Sequence, residues 1–105
     1  MTGDAELQIH EVRCATATEV TVVVRCLRGP VRHGARFSLV RDTRAPIDLT
    51  VTGIVRYNRP DNAVDPGHSA LVTLRGMGAQ ELRPTIGESG REVMAVVRGD
   101  NPAAS

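Results

Sequence analysis

The sequence predicts an all-β fold, a small closed barrel of six strands. Valine is the most frequent of its apolar residues, whereas Phe and Tyr occur once each and Trp is absent. Valine suits strands because its branched Cβ leaves the side chain few rotamers. The 10 glycines and 6 prolines supply the tight turns that many short strands require. A chain of 105 residues is long enough for one domain with a single core.

The first half of the chain predicts three strands, at 7–13, 19–28 and about 34–41. In the second strand the apolar residues fall at period two: Val20, Val22, Val24 and Cys26. In the third, one face is expected to hold Ala35, Phe37 and Leu39. A turn built from Gly29, Pro30 and Gly34 separates these two strands, so we expect them to form a long hairpin with a loop of several residues.

The second half predicts a strand at 47–57, in which Gly53 indicates a bulge or a bend. The residues of this strand that share one parity are Leu49, Val51, Val55 and Tyr57. A polar loop is predicted at 58–67, then a strand at 69–75, one helical turn at 79–83 and a strand at 91–98.

Six strands separated by regular turns favour a closed barrel over a sandwich, because closure leaves no exposed sheet edge. We therefore predict a single barrel domain over residues 5–99. The N-terminal residues 1–4 are expected to be frayed, and residues 100–105 to form a flexible tail.

The two cysteines, Cys14 and Cys26, are expected to remain free thiols. Their spacing fits neither a zinc-ligand pattern nor a CxxC redox motif. A turn near 15–19 would place Cys14 close to Val20 and away from Cys26, which is expected to be a small buried apolar residue. The N-terminus has neither the basic start nor the apolar run of a signal peptide, and no apolar run is long enough to span a membrane. We expect a cytoplasmic protein with no membrane association.

The basic residues are all arginine, and their distribution is uneven although the net charge is only +1. Residues 25–44 hold Arg25, Arg28, Arg32, Arg36, Arg41 and Arg44 against Asp42 alone. One interpretation is an arginine face that binds phosphate or carboxylate groups, since the guanidinium fork fits both. The other is an arginine-biased composition that places Arg at ordinary solvent-facing positions of strands.

Over residues 18–90, four segments resemble, in order and spacing, the second domain of elongation factor Tu and related translational GTPases. These segments are Leu27-Arg28-Gly29-Pro30-Val31-Arg32-His33-Gly34, Val51-Thr52-Gly53-Ile54, Asp65-Pro66-Gly67-His68 and Leu74-Arg75-Gly76. The resemblance implies a six-stranded antiparallel barrel with Greek-key-type connections. In that family the barrel helps to hold the acceptor end of aminoacyl-tRNA or contacts the ribosome.

The chain departs from the family pattern at Ala35, where an Asp is usual, and at His68, where an acidic or amide residue is usual. Thr16-Ala17-Thr18 replaces a glycine-rich entry to the second strand. The sequence contains neither GxxxxGK[ST] nor Asn-Lys-x-Asp. GTP binding by this chain alone is therefore not expected.

No catalytic constellation stands out. His10, His33 and His68 lie on separate segments, with no carboxylate spacing that would complete a metal site. No serine lies in a nucleophile elbow. The sequence predicts neither an enzyme nor a bound cofactor or metal.

The function that remains is that of a binding module, docking to a protein partner or to a translation-related complex; self-association is a further option. The alternative is weak, phosphate-directed binding of tRNA or ribosomal RNA. The candidate residues for phosphate contact are Arg28, Arg32, Arg56 and Arg59, with Tyr57 as the single stacking candidate. The two alternatives differ in salt dependence, because phosphate binding weakens steeply as salt rises and an apolar protein interface does not.

Overall fold

The strands of the protein account for nearly all of the chain that can be described. The computed structural model describes residues 4–40, 47–78, 82, 85–86, 92–93 and 95–101. Its strands are β1 (Asp4–Ala15), β2 (Glu19–Arg28), β3 (Val31–Arg32), β4 (Arg36–Val40), β5 (Asp48–Arg56), β6 (Arg59–Pro60), β7 (Ala63–Val64), β8 (Ser69–Met77), β9 (Thr85–Ile86), β10 (Glu92–Val93) and β11 (Val96–Asp100). Among these residues, no helix has the length and apolar content needed to cross a membrane.

Six of the strands close into an antiparallel barrel, which confirms the predicted all-β fold. The ring runs β1–β2–β8–β5–β4–β11 and returns to β1. Strands β4, β5 and β8 form a meander, and β2, which precedes them in the chain, lies beside β8. A meander of three strands whose fourth strand lies beside its far end is a Greek key.

The predicted hairpin between the second and third strands is wrong. Strand β2 pairs with β1 and β8, whereas β4 pairs with β11 and β5. The connection between them crosses one end of the barrel, where β3 pairs with β7 and both Val31 and Val64 are fully buried. The amide of Gly34 then donates to the carbonyl of Val51 at 2.9 Å. Burial of Val31 and pairing with β5 therefore outweigh the local preference for a hairpin.

The inward faces of the strands form one core. The four alternating residues of β2 are fully buried as predicted: Val20, Val22, Val24 and Cys26. Phe37 of β4 and Leu49 and Val51 of β5 are also fully buried. At about 25 cal/mol per Å² of apolar area, such side chains supply the main stabilisation of the barrel.

At two β-bulges, the side chains that point into the core differ from those predicted. In β5 the register against β8 shifts between Val51 and Gly53, as expected from the glycine. The shift turns Ile54 into the core and leaves Tyr57 86% exposed, so the single parity predicted for this strand is wrong beyond Val51.

The second bulge lies where β4 meets β11. Arg98 pairs with Leu39 and Gly99 with Phe37, which leaves Ser38 as the extra residue. Leu39 is consequently 58% exposed, contrary to prediction, and Val40 faces the core in its place.

The C-terminal part also differs from prediction. The strand expected at 91–98 is divided: β10 pairs with β9 in a separate two-stranded sheet, and β11 closes the barrel. Of the helical turn predicted at 79–83, only Leu82 is described, and it is fully buried. Strands β1 and β11 extend to a pair between Asp4 and Asp100. Residues 1–3 and 102–105 lie outside the described part of the chain.

Candidate functional site

A β-hairpin with a two-residue turn, at one end of the barrel, presents the only tyrosine of the sequence to solvent. Arg56, the last residue of β5, pairs with Arg59 of β6, and Tyr57 and Asn58 form the turn. Both turn residues have positive φ, 52° and 62°, the geometry of a type I′ turn. Asn tolerates this region of the backbone map, but a bulky residue such as Tyr57 adopts it at a cost of about 1 kcal/mol. We refer to residues 56–59 as the hairpin tip.

The guanidinium of Arg56 is fixed by three neighbours. Nη2 lies 3.0 Å from Nδ1 of His68, and Nη1 lies 3.6 Å from Oδ2 of Asp61. The guanidinium carbon is 5.7 Å from the centre of the Tyr57 ring, which is within cation–π range. Only 15% of the Arg56 side chain is exposed, and its Nε is buried without a hydrogen-bond partner in the described structure.

Backbone hydrogen bonds position both partners of Arg56. The amide of Asp61 donates to the carbonyl of Ile54 at 2.9 Å, which holds the loop against β5. His68 closes a turn that begins at Asp65, with its amide donating to the Asp65 carbonyl at 3.1 Å. Pro66 and then Gly67, at φ 84°, give this turn the geometry of type II.

The same turn is paired with β2. The amide of Gly67 donates to the carbonyl of Cys26 at 2.8 Å, and the amide of Cys26 donates to the carbonyl of His68 at 2.9 Å. The backbone of His68 is thus fixed to the barrel wall, and its exposed imidazole contacts the guanidinium of Arg56.

All five candidate residues lie at one end of the barrel. Strands β2 and β5 are each antiparallel to β8, so their C-terminal residues, Arg28 and Arg56, lie at the same end. Arg32 belongs to β3, which caps that end by pairing with β7. The structure brings Arg56, Tyr57 and Arg59 into direct proximity. Arg28 and Arg32 lie at the same end of the barrel but elsewhere in the chain. Arg28 ends β2, and Arg32 lies in the connection from β2 to β4.

Exposure differs among these arginines. Arg28, Arg32 and Arg59 are exposed, whereas Arg56 is largely covered. The amide of Arg32 donates to Oδ1 of Asn101 at 2.8 Å, which fixes its backbone and leaves the guanidinium in solvent. Within the described residues, neither Arg32 nor Arg59 forms an ion pair. These two side chains are therefore available for an anionic group of a partner.

In residues 25–40, the described part of the arginine-rich stretch, the arginines do not form one continuous face; Arg41 and Arg44 lie outside the described residues. Arg36 makes a two-pronged ion pair with Asp48, with both N–O distances 2.7 Å. These hydrogen bonds lower the pKa of Asp48, although both side chains are exposed. Arg36 is thus neutralised on the wall of the barrel and does not add to the charge at the hairpin tip.

The histidines and cysteines do not converge in the described structure. His10 contacts Gln8 at 3.0 Å, His33 contacts the carbonyl of Thr52 at 2.8 Å, and His68 contacts Arg56. Among the described residues, no three ligand-type side chains lie close enough together to hold a metal ion.

Both cysteines are free, and the register of β1 against β2 places Cys14 opposite Thr21 and Cys26 opposite Leu7. The predicted separation of the two thiols is confirmed. Burial raises the pKa of the Cys26 thiol, whereas Cys14 is exposed.

Sequence reasoning proposed Arg56, Tyr57 and Arg59 as candidates but did not predict the contacts of Asp61 and His68 with Arg56. Both lie in or next to a loop that looked merely polar. Their contacts with Arg56 depend on a turn that pairs with β2, and no spacing in the sequence reports that pairing.

Comparisons of the chain with protein-family models, with curated proteins and with solved structures find no match. The candidate site is therefore argued from its own geometry.

Proposed function

We propose that this protein is a non-catalytic binding module that docks, through the hairpin tip, to a protein partner or a translation-related complex. The observation that supports this most directly is Tyr57, which is 86% exposed at the apex of a turn and sits beside the guanidinium of Arg56. Tyrosine and arginine are the residue types, with tryptophan, that most often dominate the binding energy of protein interfaces.

The core of the barrel does not account for the placement of Tyr57. The one other aromatic residue of the sequence is Phe37. It is fully buried in the core, as expected for a large apolar side chain. Tyr57 contributes nothing comparable to the core, and its positive φ makes the turn less stable than it would be with Gly or Asn. An unfavourable backbone conformation that presents an aromatic ring to solvent is consistent with a binding role.

The hairpin tip is also organised before any partner binds. Arg56 pairs with Arg59 across the turn, and the Arg56 side chain is held by Asp61 and His68. Association is penalised by ordering of side chains, at about 0.5–1.5 kcal/mol for each one immobilised. A ring already supported by a fixed guanidinium avoids part of that penalty, which favours docking as a rigid anchor.

The second candidate function is phosphate-directed binding of tRNA or ribosomal RNA. It is supported by the exposure of Arg28, Arg32 and Arg59 at the same end of the barrel as Tyr57. The resemblance to the second domain of translational GTPases points the same way. Base stacking is worth about 1–3 kcal/mol per base, so a single exposed aromatic limits the affinity that this mode can reach.

Affinity purification of the tagged chain from its native lysate, with and without ribonuclease, separates the two candidates. A protein that stays bound after nuclease treatment, and through a rise in salt, supports the docking module. Ribosomal proteins or tRNA that are lost on nuclease treatment support the RNA mode, as does a steep fall in binding with salt. Recovery of neither a protein nor an RNA above the level of an untagged control would contradict both.

A further inference from the structure

The outer wall of the barrel beside the hairpin tip carries a row of apolar residues across four strands. Val23 of β2 lies opposite Leu71 of β8, Leu71 lies opposite Val55 of β5, and Val55 lies opposite Pro60 of β6. Directly opposed residues of antiparallel strands point to the same face of the sheet. We refer to these four residues as the outer row.

The outer row points away from the core. On each of β2, β8 and β5, residues next to the row face inward and are buried: Val22, Val24, Ala70, Val72 and Ile54. The partly buried apolar residues that pack against the core are Val12 and Ala95 instead. In the outer row itself, Pro60 is exposed and the other three residues are half-buried.

The positions that flank the outer row are polar. On β2 and β8 the neighbouring outward residues are Thr21, Arg25, Ser69 and Thr73. An antiparallel strand that faces water on one side alternates apolar residues inside with polar residues outside. A row of apolar residues across four strands departs from that alternation, and an apolar patch with a polar rim is typical of a surface that a partner covers.

The outer row is continuous with the hairpin tip. Val55 directly precedes Arg56, and Pro60 directly follows Arg59. Neighbouring strands lie about 4.8 Å apart, so the row is about 14 Å long, roughly the length of a nine-residue helix. The turn that bears Tyr57 joins β5 and β6 at one end of the row, so one segment of a partner can contact both.

The uncompensated charge beside the outer row is positive. Arg25 is the next outward residue of β2 after Val23 in the direction of the tip, and Arg59 directly precedes Pro60. Both arginine side chains are exposed. Within the described part of the chain, neither forms an ion pair.

The carboxylates at the two ends of the row are already paired. Glu11, opposite Val23, lies 3.1 Å from Arg13, and Asp61, which follows Pro60, faces Arg56 at 3.6 Å. Carboxylates of a partner would therefore meet the two unpaired arginines, and the guanidinium fork suits a carboxylate.

We propose that the outer row and the hairpin tip form one docking surface, and that the partner is a protein segment with apolar side chains flanked by carboxylates. The apolar side chains cover the row, and the carboxylates pair with Arg25 and Arg59. This inference extends the docking function proposed above and rests on it. A nucleic acid would engage the arginines through its phosphates and leave the aliphatic row uncovered.

An amphipathic helical peptide tests this surface directly. The glutamate peptide has leucines along one face and glutamates on both sides of them, and its matched control has lysines in place of the glutamates. Titration of the ¹⁵N-labelled chain with the glutamate peptide should shift the amide signals of Val23, Leu71 and Val55 to saturation. Absence of these shifts, or equal shifts with the lysine peptide, would overturn the proposal.

Val23→Thr combined with Val55→Thr removes the apolar character of the row. Threonine keeps the branched Cβ that suits a strand, so we expect the fold to be retained. The affinity for the glutamate peptide, measured by fluorescence anisotropy, should fall about tenfold or more. Leu39→Thr combined with Met77→Thr is the control, because it removes exposed apolar side chains outside this surface. Equal affinities of the two double variants would overturn the proposal.

A Tyr57→Ala variant separates this inference from the docking function of the tip. Loss of peptide affinity in Tyr57→Ala alone would overturn the outer row and leave the tip as the anchor. Loss in the Val23 and Val55 variant alone would support the row and contradict the anchoring role of Tyr57. Loss in neither would overturn both proposals. Tighter binding of an oligouridylate, unchanged by the Val23 and Val55 variant, would overturn the inference in favour of the RNA mode.

Discussion

Replacing Gly99 by alanine should destabilise the barrel at the junction between β4 and β11. Gly99 pairs with Phe37 immediately after the bulge at Ser38. A Cβ at this position would lie 1.9 Å from the carbonyl oxygen of Arg36 and 2.6 Å from the Cα of Phe37. Both contacts are with backbone, so no side chain can rotate away and the two strands themselves have to separate.

The expected magnitude follows from the kind of atom that must move. Inserting a methyl group into packed side chains costs about 1–3 kcal/mol, and more when the surroundings cannot adjust. Here the neighbours belong to two paired strands that close the ring, so we expect a loss of at least about 3 kcal/mol in the free energy of unfolding. For a domain of this size, that loss corresponds to a fall of about 12–24 °C in Tm.

Gly53→Ala is the matched control, because Gly53 also lies at a bulge in a paired strand. Its added Cβ would meet nothing closer than the Cβ of Thr73 at 3.7 Å, which is ordinary van der Waals contact. We expect a change within about 0.5 kcal/mol, or a gain of up to about 1 kcal/mol from reduced freedom of the unfolded chain. Urea unfolding followed by far-UV circular dichroism measures both variants. A Gly99→Ala protein as stable as Gly53→Ala would refute the assigned register at the β4–β11 junction.

Three further predictions concern other parts of the molecule. A thiol reagent at pH 8 should label only Cys14 in the folded chain and both cysteines after denaturation. The reason is that burial shields Cys26 and raises the pKa of its thiol. Labelling of both thiols in the native protein would contradict the burial of Cys26. Hydrogen bonds from Arg36 lower the pKa of Asp48, so this pair contributes stability above the ordinary aspartate pKa of about 3.9, and the contribution is lost as the pH falls through the lower folded value. Asp48→Asn should therefore flatten part of the acid-side fall in stability, and an unchanged pH profile would count against the pair. Val64→Ala should cost about 2 kcal/mol, because this residue of the polar connection is fully buried, and a change below about 0.5 kcal/mol would contradict its place in the core.

The strands were predictable where burial follows a simple alternation. The boundaries of β2 agree with the sequence prediction because apolar residues recur at period two from Val20 to Cys26. Strand partners were not predictable in the same way. The chain after Gly29 could have folded back on β2, but non-local burial of Val31 beside Val64 takes it across the barrel end instead.

The errors in predicting which side chains point into the core have a single physical origin. A bulge adds one residue and thereby reverses the inward and outward positions that follow it. Gly53 signalled one such place, whereas the bulge at Ser38 has no comparable signal, and the prediction for Leu39 failed for that reason.

The candidate site was predictable only in part. Exposure of Arg59 could be expected from its place in a polar loop, whereas the exposure of Tyr57 follows from the bulge in β5. The support of Arg56 by Asp61 and His68 could not be expected, because it requires the turn that ends at His68 to be bonded to β2. Such contacts are set by the closed barrel and not by neighbours in the sequence.

The central claim is that the hairpin tip is the docking anchor, and a pair of double variants tests it most directly. Tyr57→Ala combined with Arg59→Ala removes the exposed ring and the exposed guanidinium at the tip. Arg75→Ala combined with Met77→Ala removes an exposed arginine and an exposed large apolar side chain, with the same spacing, at the end of β8 that lies away from the hairpin tip.

The measurement is the affinity of each folded double variant for the partner retained in the purification described above. The account predicts a loss of at least about 30-fold for the tip variant, equivalent to about 2 kcal/mol, the level at which an interface residue counts as a hot spot. It predicts an unchanged affinity for the variant at the opposite end. Equal affinities for the two variants, or a loss confined to the Arg75 and Met77 variant, would contradict it.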